Sequence, residues 1–508
     1  MKKYVVVAIG TGVGMTILST AVARGLSVAI VEDTKVGGTC LTRGCIPSKV
    51  LIYPADIIRE AQHAKRVGVH FKIEKIDWDF ISKRMWSQID ESKGMEQSLK
   101  ESPPDQIMFY QGVGEFVKDY QMKVKLKDGK YSEPFEGEKI VIASGARSFI
   151  PPIKGLEEVG YITNETFFGE KFPKKPWKSL AILGGGVIAA EFAHLFSVMG
   201  TEVTIIEMLP RLVYTEEPEV SAFLEKNFQK YMNVLVNKKA IAAKEKDGRK
   251  IVTVEDMKTG EKSEVKVEEI FVATGRKSNV DLLKVEKTGV KTDKRGWIIT
   301  NEYLETSKEN IWCIGDANGK YQFRHKANAE AEICSQNMFA TKDQRVAMDY
   351  SSVPWAIFTY PQVGHVGMTE AEAIEKGYKI YVAIKKYSTV AKGFAMGYDR
   401  GDEDDGFVKL VVDQSRKLLG ASVVGPHAAI LVQPFVYLMN AGFTCEISPE
   451  PGKPPELIYS QTCPEAGSFM PIYRSQVIHP SLNEVTGWAI GSLRPVNIEH
   501  EQEHEHHH

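Results

Sequence analysis

Residues 4–14 read Tyr4-Val-Val-Val-Ala-Ile-Gly10-Thr-Gly12-Val-Gly14, a β-branched run that breaks into three alternating glycines. The run predicts a strand over residues 4–9. The apolar spacing of residues 15–24 predicts a helix, and residues 26–31 predict a second strand closing at Glu32. Strand, glycine turn, helix and strand make a βαβ unit, and a glycine turn opening a helix is suited to a pyrophosphate. Met15 departs from the fingerprint, because its place normally carries Gly or Ala for close helix-to-strand packing. Glu32 stands 20 residues beyond Gly12, where a carboxylate can accept hydrogen bonds from a ribose.

The same order returns at residues 180–183, Gly184-Gly-Gly186-Val-Ile-Ala189, a helix over 187–199 and a strand over 202–206 that closes at Glu207. A second dinucleotide-binding domain follows from that repetition. Glu207 lies 21 residues past Gly186, and an acid there favours NAD; NADP would need cations, and only Arg211 is near. Proline-rich joints at residues 148–155 and 171–177 bracket this unit. The strand expected over 310–314, followed by Gly315-Asp316, returns to the first domain. Beyond Ser351 the pattern becomes alternating strands, such as 407–412 and 420–424, with one helix over 428–439. The fold expected is α/β, with two Rossmann-like domains and a C-terminal α+β dimerisation domain.

Length and charge narrow the function classes. A chain of 508 residues with 43% hydrophobic residues can fill several cores, so two to four domains are expected. The formal net charge of −2 offers no electrostatic footprint for nucleic acid. No segment is long and apolar enough to suggest a membrane span. Six cysteines in such a chain do not form a disulfide scaffold, which points to a reducing cytoplasm.

Two of those cysteines carry chemistry. Residues 37–49 read Gly37-Gly-Thr-Cys40-Leu-Thr-Arg-Gly-Cys45-Ile-Pro-Ser-Lys49. The spacing is long for a zinc knuckle and no second pair at ligand spacing follows, so no metal is expected; two inert buried thiols are the plain alternative. A redox disulfide is the reading adopted. The glycines and Lys49 make an electropositive turn into a helix starting near Pro47, whose N-terminus would hold Cys45 as a thiolate. Near the C-terminus, His479-Pro480-Ser-Leu-Asn-Glu484 sets an imidazole five residues from a carboxylate, which can orient the ring if the segment turns helical.

Taken together, residues 37–49, Ile142-Ala-Ser-Gly-Ala-Arg147, Ala273-Thr-Gly-Arg276, Ile314-Gly-Asp316, Phe358-Thr-Tyr-Pro361 and 479–484 resemble the flavin-dependent pyridine nucleotide–disulfide oxidoreductases. The dihydrolipoamide dehydrogenases are the most similar branch, and the resemblance spans nearly the whole chain. It implies FAD in residues 1–150 and 280–350, NAD in 151–279 and a homodimer built through 351–490, with 491–508 a His/Glu-rich tail. Around FAD it implies Gly10, Gly12, Gly14, Glu32, Thr39, Lys49, Gly114, Ser144, Gly145, Asp316 and Ala327. Around NAD it implies Gly184, Gly186, Ile188, Glu191, Glu207, Gly275 and Arg276, with Glu191 also pairing Lys49. It makes Cys40 the thiol that exchanges with a small-molecule or lipoyl-domain substrate and Cys45 the thiol that faces the flavin. His479, supported by Glu484, is expected from the second subunit, so that active sites are shared.

Some features depart from that pattern. Ser278 replaces a proline, Ile430 stands in place of a glutamate, and Ala429-Ile-Leu-Val-Gln-Pro434 with Asn483 also resembles mycothione reductases. Thirty-four residues separate Thr444 from His479, about twenty more than the resemblance leads one to expect, and they include Cys445 and Cys463 as a candidate second dithiol.

Overall fold

The computed structural model describes residues 1–414, 417–441, 470–481 and 483–484. Cys445, Cys463 and the 491–508 tail lie outside them.

The chain starts with β1 (Lys2–Ile9), α1 (Gly14–Ala23), β2 (Val28–Glu32), α2 (Gly38–Arg43), α3 (Cys45–His63) and α4 (Trp78–Glu101). Then come β3 (Ile107–Lys118), β4 (Gln121–Leu126), β5 (Phe135–Ile142) and β6 (Ala146–Ser148). Every residue of β2 is buried, as a strand covered on both faces of a parallel sheet must be. β1 runs parallel to β2 and β5, so its C-terminal end opens into the glycine turn.

The middle region holds α5 (Leu156–Val159), α6 (Asn164–Phe167), β7 (Ser179–Leu183), α7 (Val187–Val198), β8 (Glu202–Ile206), α8 (Pro218–Phe228) and β9 (Asn233–Leu235). An antiparallel meander of β10 (Lys238–Lys246), β11 (Arg249–Asp256) and β12 (Lys262–Val267) precedes β13 (Glu269–Val272), β14 (Arg276–Ser278) and α9 (Val280–Leu283). The order β13-β7-β8-β9 is parallel throughout and forms the second nucleotide-binding sheet. β15 (Ile311–Cys313) then rejoins the first sheet beside β5, giving the order β1-β2-β3-β4-β5-β15 with β1 also paired to β5. It begins one residue later than expected because Asn310 takes a left-handed φ of 59°. α10 (Arg324–Asn337) packs on α1 against the buried face of this sheet.

The third region is a five-stranded antiparallel sheet of β16 (Pro354–Ile357), β17 (Gln362–Gly367), β18 (Ile380–Lys386), β19 (Phe407–Asp413) and β20 (Leu418–Gly425), with α11 (Glu370–Glu375) and α12 (Ala391–Ala395) between its strands. α13 (Ala428–Leu431), α14 (Gln433–Met439) and α15 (Met470–Arg474) follow. The single helix expected over 428–439 is two helices, broken at Val432. Pro434 lacks the N–H that would bond the carbonyl of Ile430, and its ring crowds that carbonyl. A shared core joins the regions: Leu51 of α3, Phe192 and Phe196 of α7, and Ile357, Val363 and Val424 of the third sheet pack together. Burial of this size holds the third region against the face where α3 meets α7.

Candidate active site

One cleft of about 1370 Å³ runs from the first glycine turn to the second. Of the candidate catalytic and cofactor-binding residues, only Gly14 and Glu484 do not line it. Gly14 is instead the buried first residue of α1, where an added Cβ would sit 3.8 Å from the side chains of Ala8 and Ala143. Close packing therefore falls to Gly14, which leaves the Met15 side chain free to pack at the margin of the core.

The two turns are braced in parallel ways. Glu32 accepts bonds from the Thr11 N–H (3.0 Å) and hydroxyl at one oxygen, and from the Thr34 N–H (3.0 Å) and hydroxyl (2.8 Å) at the other. Burial raises its carboxyl pKa, but these bonds outweigh burial and hold it below the usual range. The Thr11 hydroxyl in turn accepts the Gly37 N–H at 2.9 Å, tying the turn to the cysteine helix. Glu207 accepts from the Gly185 and Leu209 N–H groups, the latter at 2.7 Å. Gly10 (φ +102°) and Gly184 (φ +107°) each press against a carbonyl, Ala143 O and Ala273 O, at distances no Cβ could accept.

The thiols sit where α2 meets α3. Gly44 breaks the helical path, so α3 begins at Cys45 rather than at Pro47, which puts the thiol at the N-terminal end of the helix. The Cys40 thiol bonds to Cys45 and is raised well above its usual pKa by that bond, by burial and by the Cys45 charge, against the pull of Arg324 and Lys49. Cys45 is drawn down to about 6 by the same bond, and Lys49 and His479 add to the pull against burial. The pair thus divides into a protonated thiol and a thiolate.

Cys40 Sγ lies 3.2 Å from His479 Nε2, and His479 Nδ1 lies 2.7 Å from Glu484 Oε1. An Nδ1–H donated to the carboxylate leaves the Nε2 lone pair facing the sulfur. The resemblance implies that His479 comes from a second subunit; within the single chain described its ring lies against Cys40. Ile478 is buried among Val366, Val423, Val432 and Val436 of the same chain's third region, and the shared core sets that region against α3.

Lys49 Nζ bonds Glu191 Oε2 at 2.7 Å and lies 4.8 Å from the centroid of the Phe358 ring, while the Phe358 N–H donates to Glu191 Oε1 at 3.0 Å. Arg276 spans the cleft between Glu165 (3.5 Å) and Asp316 (3.9 Å). Thr39, Gly114, Ser144, Gly145, Ala327, Ile188 and Gly275 contribute wall. Sequence reasoning missed Thr11 and Thr34, which saturate Glu32, and Arg324 at the start of α10. Among the described residues no group of His, Cys, Asp and Glu is placed to hold a metal, and no helix is long and apolar enough to cross a membrane.

Whether the walls fit a flavin dinucleotide can be tested on polar atoms left over. Ser144 Oγ is buried in the cleft wall without a hydrogen-bond partner, which is costly unless a ligand supplies one. Gly38 (φ +71°) lies so close that its Cβ would stand 2.6 Å from Gly12 Cα, leaving bare backbone where a diphosphate would run. The residues present fit the group.

Comparison with known proteins agrees. Residues 3–331 match the family described as pyridine nucleotide-disulphide oxidoreductase, and residues 353–449 match its dimerisation domain, which indicates a homodimer. Mycothione reductase of Mycobacterium tuberculosis is 32% identical over 450 residues, covering 87% of this chain and 94% of that protein. Dihydrolipoyl dehydrogenase of Chlamydia pneumoniae is 31% identical over 505 residues, 98% of each chain. The HOCl-induced flavoprotein disulfide reductase RclA from Escherichia coli shares the fold, with a TM-score of 0.71 at 24% identity over 97% of this chain and 100% of that one. A glycine turn at each end of one cleft, a thiol pair between them and two matching domains lead to one conclusion: the chain belongs to the pyridine nucleotide-disulphide oxidoreductases, enzymes that bind FAD and use NAD(P).

Proposed function

We propose that the chain oxidises dihydrolipoamide, free or on a lipoyl domain, to lipoamide with NAD as the final acceptor. The observation that supports this best is the line Glu484, His479, Cys40, Cys45, with a base 3.2 Å from a thiol whose neighbour ionises at about pH 6. In this reading residues 1–150 and 280–350 carry the FAD domain, 151–279 the NAD domain and 351–490 the dimerisation domain, in a cytoplasmic enzyme.

His479 Nε2 takes a proton from the first substrate thiol, and the thiolate attacks Cys40 Sγ of the oxidised pair. The Cys40–Cys45 bond breaks and Cys45 leaves as a thiolate, needing no proton because of its low pKa. The second substrate thiol loses its proton to water and attacks the substrate sulfur of the mixed disulfide. Lipoamide leaves, and Cys40 recovers a proton from the imidazolium that Glu484 has stabilised. The first glycine turn, Glu32 and Lys49 would hold FAD, which would supply a two-electron acceptor for the reduced pair and a hydride donor for NAD. Lys49, paired with Glu191, holds a positive charge beside Cys45 throughout.

A second reading, reduction of a mycothione-like disulfide, has a specific observation behind it. Asn483 Nδ2 donates to Ala429 O at 2.9 Å, joining the two features that resemble mycothione reductases. Steady-state rates on dihydrolipoamide, lipoamide and mycothione, each with both pyridine nucleotides, test the pair. Preferred turnover of dihydrolipoamide with NAD is expected; turnover of mycothione alone would replace the first reading by the second.

A further inference from the structure

The loop from Glu207, just past β8, to Glu217, the N-cap of α8, folds back against the second glycine turn. The Val213 N–H donates to Gly185 O at 2.8 Å, and the Leu209 N–H donates to Glu207 Oε1, so the loop and the acid brace the same turn. Val213 stands at φ +41°, a conformation that a β-branched residue keeps only where its surroundings hold it there. One end of the loop is held by Glu207 itself. The other end is held from the third region.

Lys409 of β19 is only 1% exposed, and its ammonium meets three carboxylates: Glu217 Oε2 (3.0 Å) and Glu219 Oε1 (3.0 Å) at the start of α8, and Glu370 Oε2 (2.8 Å) of α11. An ammonium has three protons to donate, and each has an acceptor here. Glu217, equally buried, accepts the Glu370 N–H at its other oxygen, 2.8 Å away. Its neighbour Glu216 is also buried and accepts the indole N–H of Trp355 from β16. The two acids that end the loop are thus clasped by β16, β19 and α11. A buried carboxylate needs its partner, so the loop cannot leave this seat without stranding a charge.

We propose that Lys409 is a positioning residue for the pyridine nucleotide: by seating Glu217 it holds the 207–217 loop in the shape in which Glu207 receives the adenosine ribose. The proposal rests on the reading of Glu207 as that acceptor. A loop already set in its bound shape spares the nucleotide the cost of ordering it, so the contribution falls on affinity and leaves the flavin and thiol chemistry untouched. In this role the third region is more than a dimerisation surface, because its sheet shapes the adenosine end of the nucleotide site.

The test follows flavin absorbance when the FAD-loaded enzyme is mixed with NADH or with reduced nicotinamide mononucleotide, which lacks the adenosine half. Lys409→Met strands Glu217, so the pair Lys409→Met with Glu217→Gln is made beside it; that variant carries neither buried charge and should fold. In both, the half-saturating NADH concentration and the inhibition constant of ADP-ribose should rise roughly three- to tenfold. The limiting rate of flavin reduction, the flavin content and the second-order rate with reduced nicotinamide mononucleotide should stay within about twofold of wild type. Lys409→Arg, which keeps the charge, should recover part of the loss. Added to Glu207→Gln, the Lys409 change should cost less than the product of the two single losses, because both act through one loop. An unchanged half-saturation in the paired variant, an equal loss with reduced nicotinamide mononucleotide, or losses that multiply in full would each overturn the proposal. If Glu207→Gln alone left NADH and ADP-ribose binding unchanged, the reading of Glu207 would fall, and the proposal with it. Weak binding in Glu207→Gln beside normal binding in the Lys409 variants would sink only the proposal.

Discussion

The two βαβ units begin with nearly the same arrangement and end in different surroundings. In the first, Glu32 has four donors on its two oxygens, Gly38 presses on Gly12, and the Thr11 hydroxyl ties the turn to the cysteine helix. The His479 loop of the third region closes over that end. In the second unit Glu207 has two backbone donors, and a Cβ on Gly186 would meet nothing within 4 Å. A closed site suits a resident cofactor, and an open one suits a cofactor that enters and leaves at each turnover.

The largest expected effect concerns what closes the first unit. Wild-type subunits paired with subunits carrying both Cys40→Ser and His479→Gln should keep about half of the wild-type rate if one chain supplies both groups, since a missing general base costs roughly 10²–10⁴-fold. The reciprocal heterodimer, Cys40→Ser with His479→Gln, should then be nearly inactive. Rates of tagged, purified heterodimers decide the matter, and the opposite pattern would assign the base to the second subunit.

Next come the glycines. Gly38→Ala adds a Cβ 2.6 Å from Gly12 Cα at φ +71°, and should cost about 1–3 kcal/mol and strip FAD from the purified protein, as read by flavin absorbance. Gly186→Ala should keep its full flavin complement, because the added methyl points into open space. Equal flavin loss in both would erase the contrast between a closed and an open unit.

A smaller effect separates the acids. Glu207→Gln should raise KM for NADH roughly tenfold with kcat little changed, as expected when one charge-assisted bond to a ligand is lost. Glu32→Gln should lower thermal stability by about 1–3 kcal/mol even without ligand, because a carboxamide cannot accept at both of its ends.

The smallest effect is electrostatic. Cys45 lies below the ordinary thiol value, so its thiolate is present above about pH 6 and disappears as pH falls through that point. Its ionisation stabilises the fold above the unfolded thiol value, and that contribution fades as pH drops through 6. Lys49→Met removes a nearby positive charge and should move the midpoint upward by about one unit, measured by pH-dependent thiolate absorbance. A midpoint that stays in place would assign the low value to the Cys40 bond and His479 without Lys49.

How much of this was legible depends on which atoms do the work. Cys40, Cys45, Glu32 and Glu207 act through side chains within one βαβ unit or one turn, so their spacing exposes them. His479 and Glu484, five residues apart, are legible for the same reason, and the ring and carboxylate meet at 2.7 Å. Lys409 left no such trace. Its partners Glu217 and Glu219 lie 192 and 190 residues away along the chain. Thr11 and Thr34 look like ordinary turn residues until both are seen to converge on one carboxylate.

The order of residues alone thus marked the two nucleotide-binding units, the Cys40–Cys45 pair and the His479–Glu484 pair, because each is a short-range pattern imposed by strand, helix and turn geometry. Only the tertiary structure decided that Thr11 and Thr34 converge on Glu32 and that one glycine turn is closed and the other open. Those outcomes depend on how buried surfaces of distant segments pack, and distance along the chain says nothing about that.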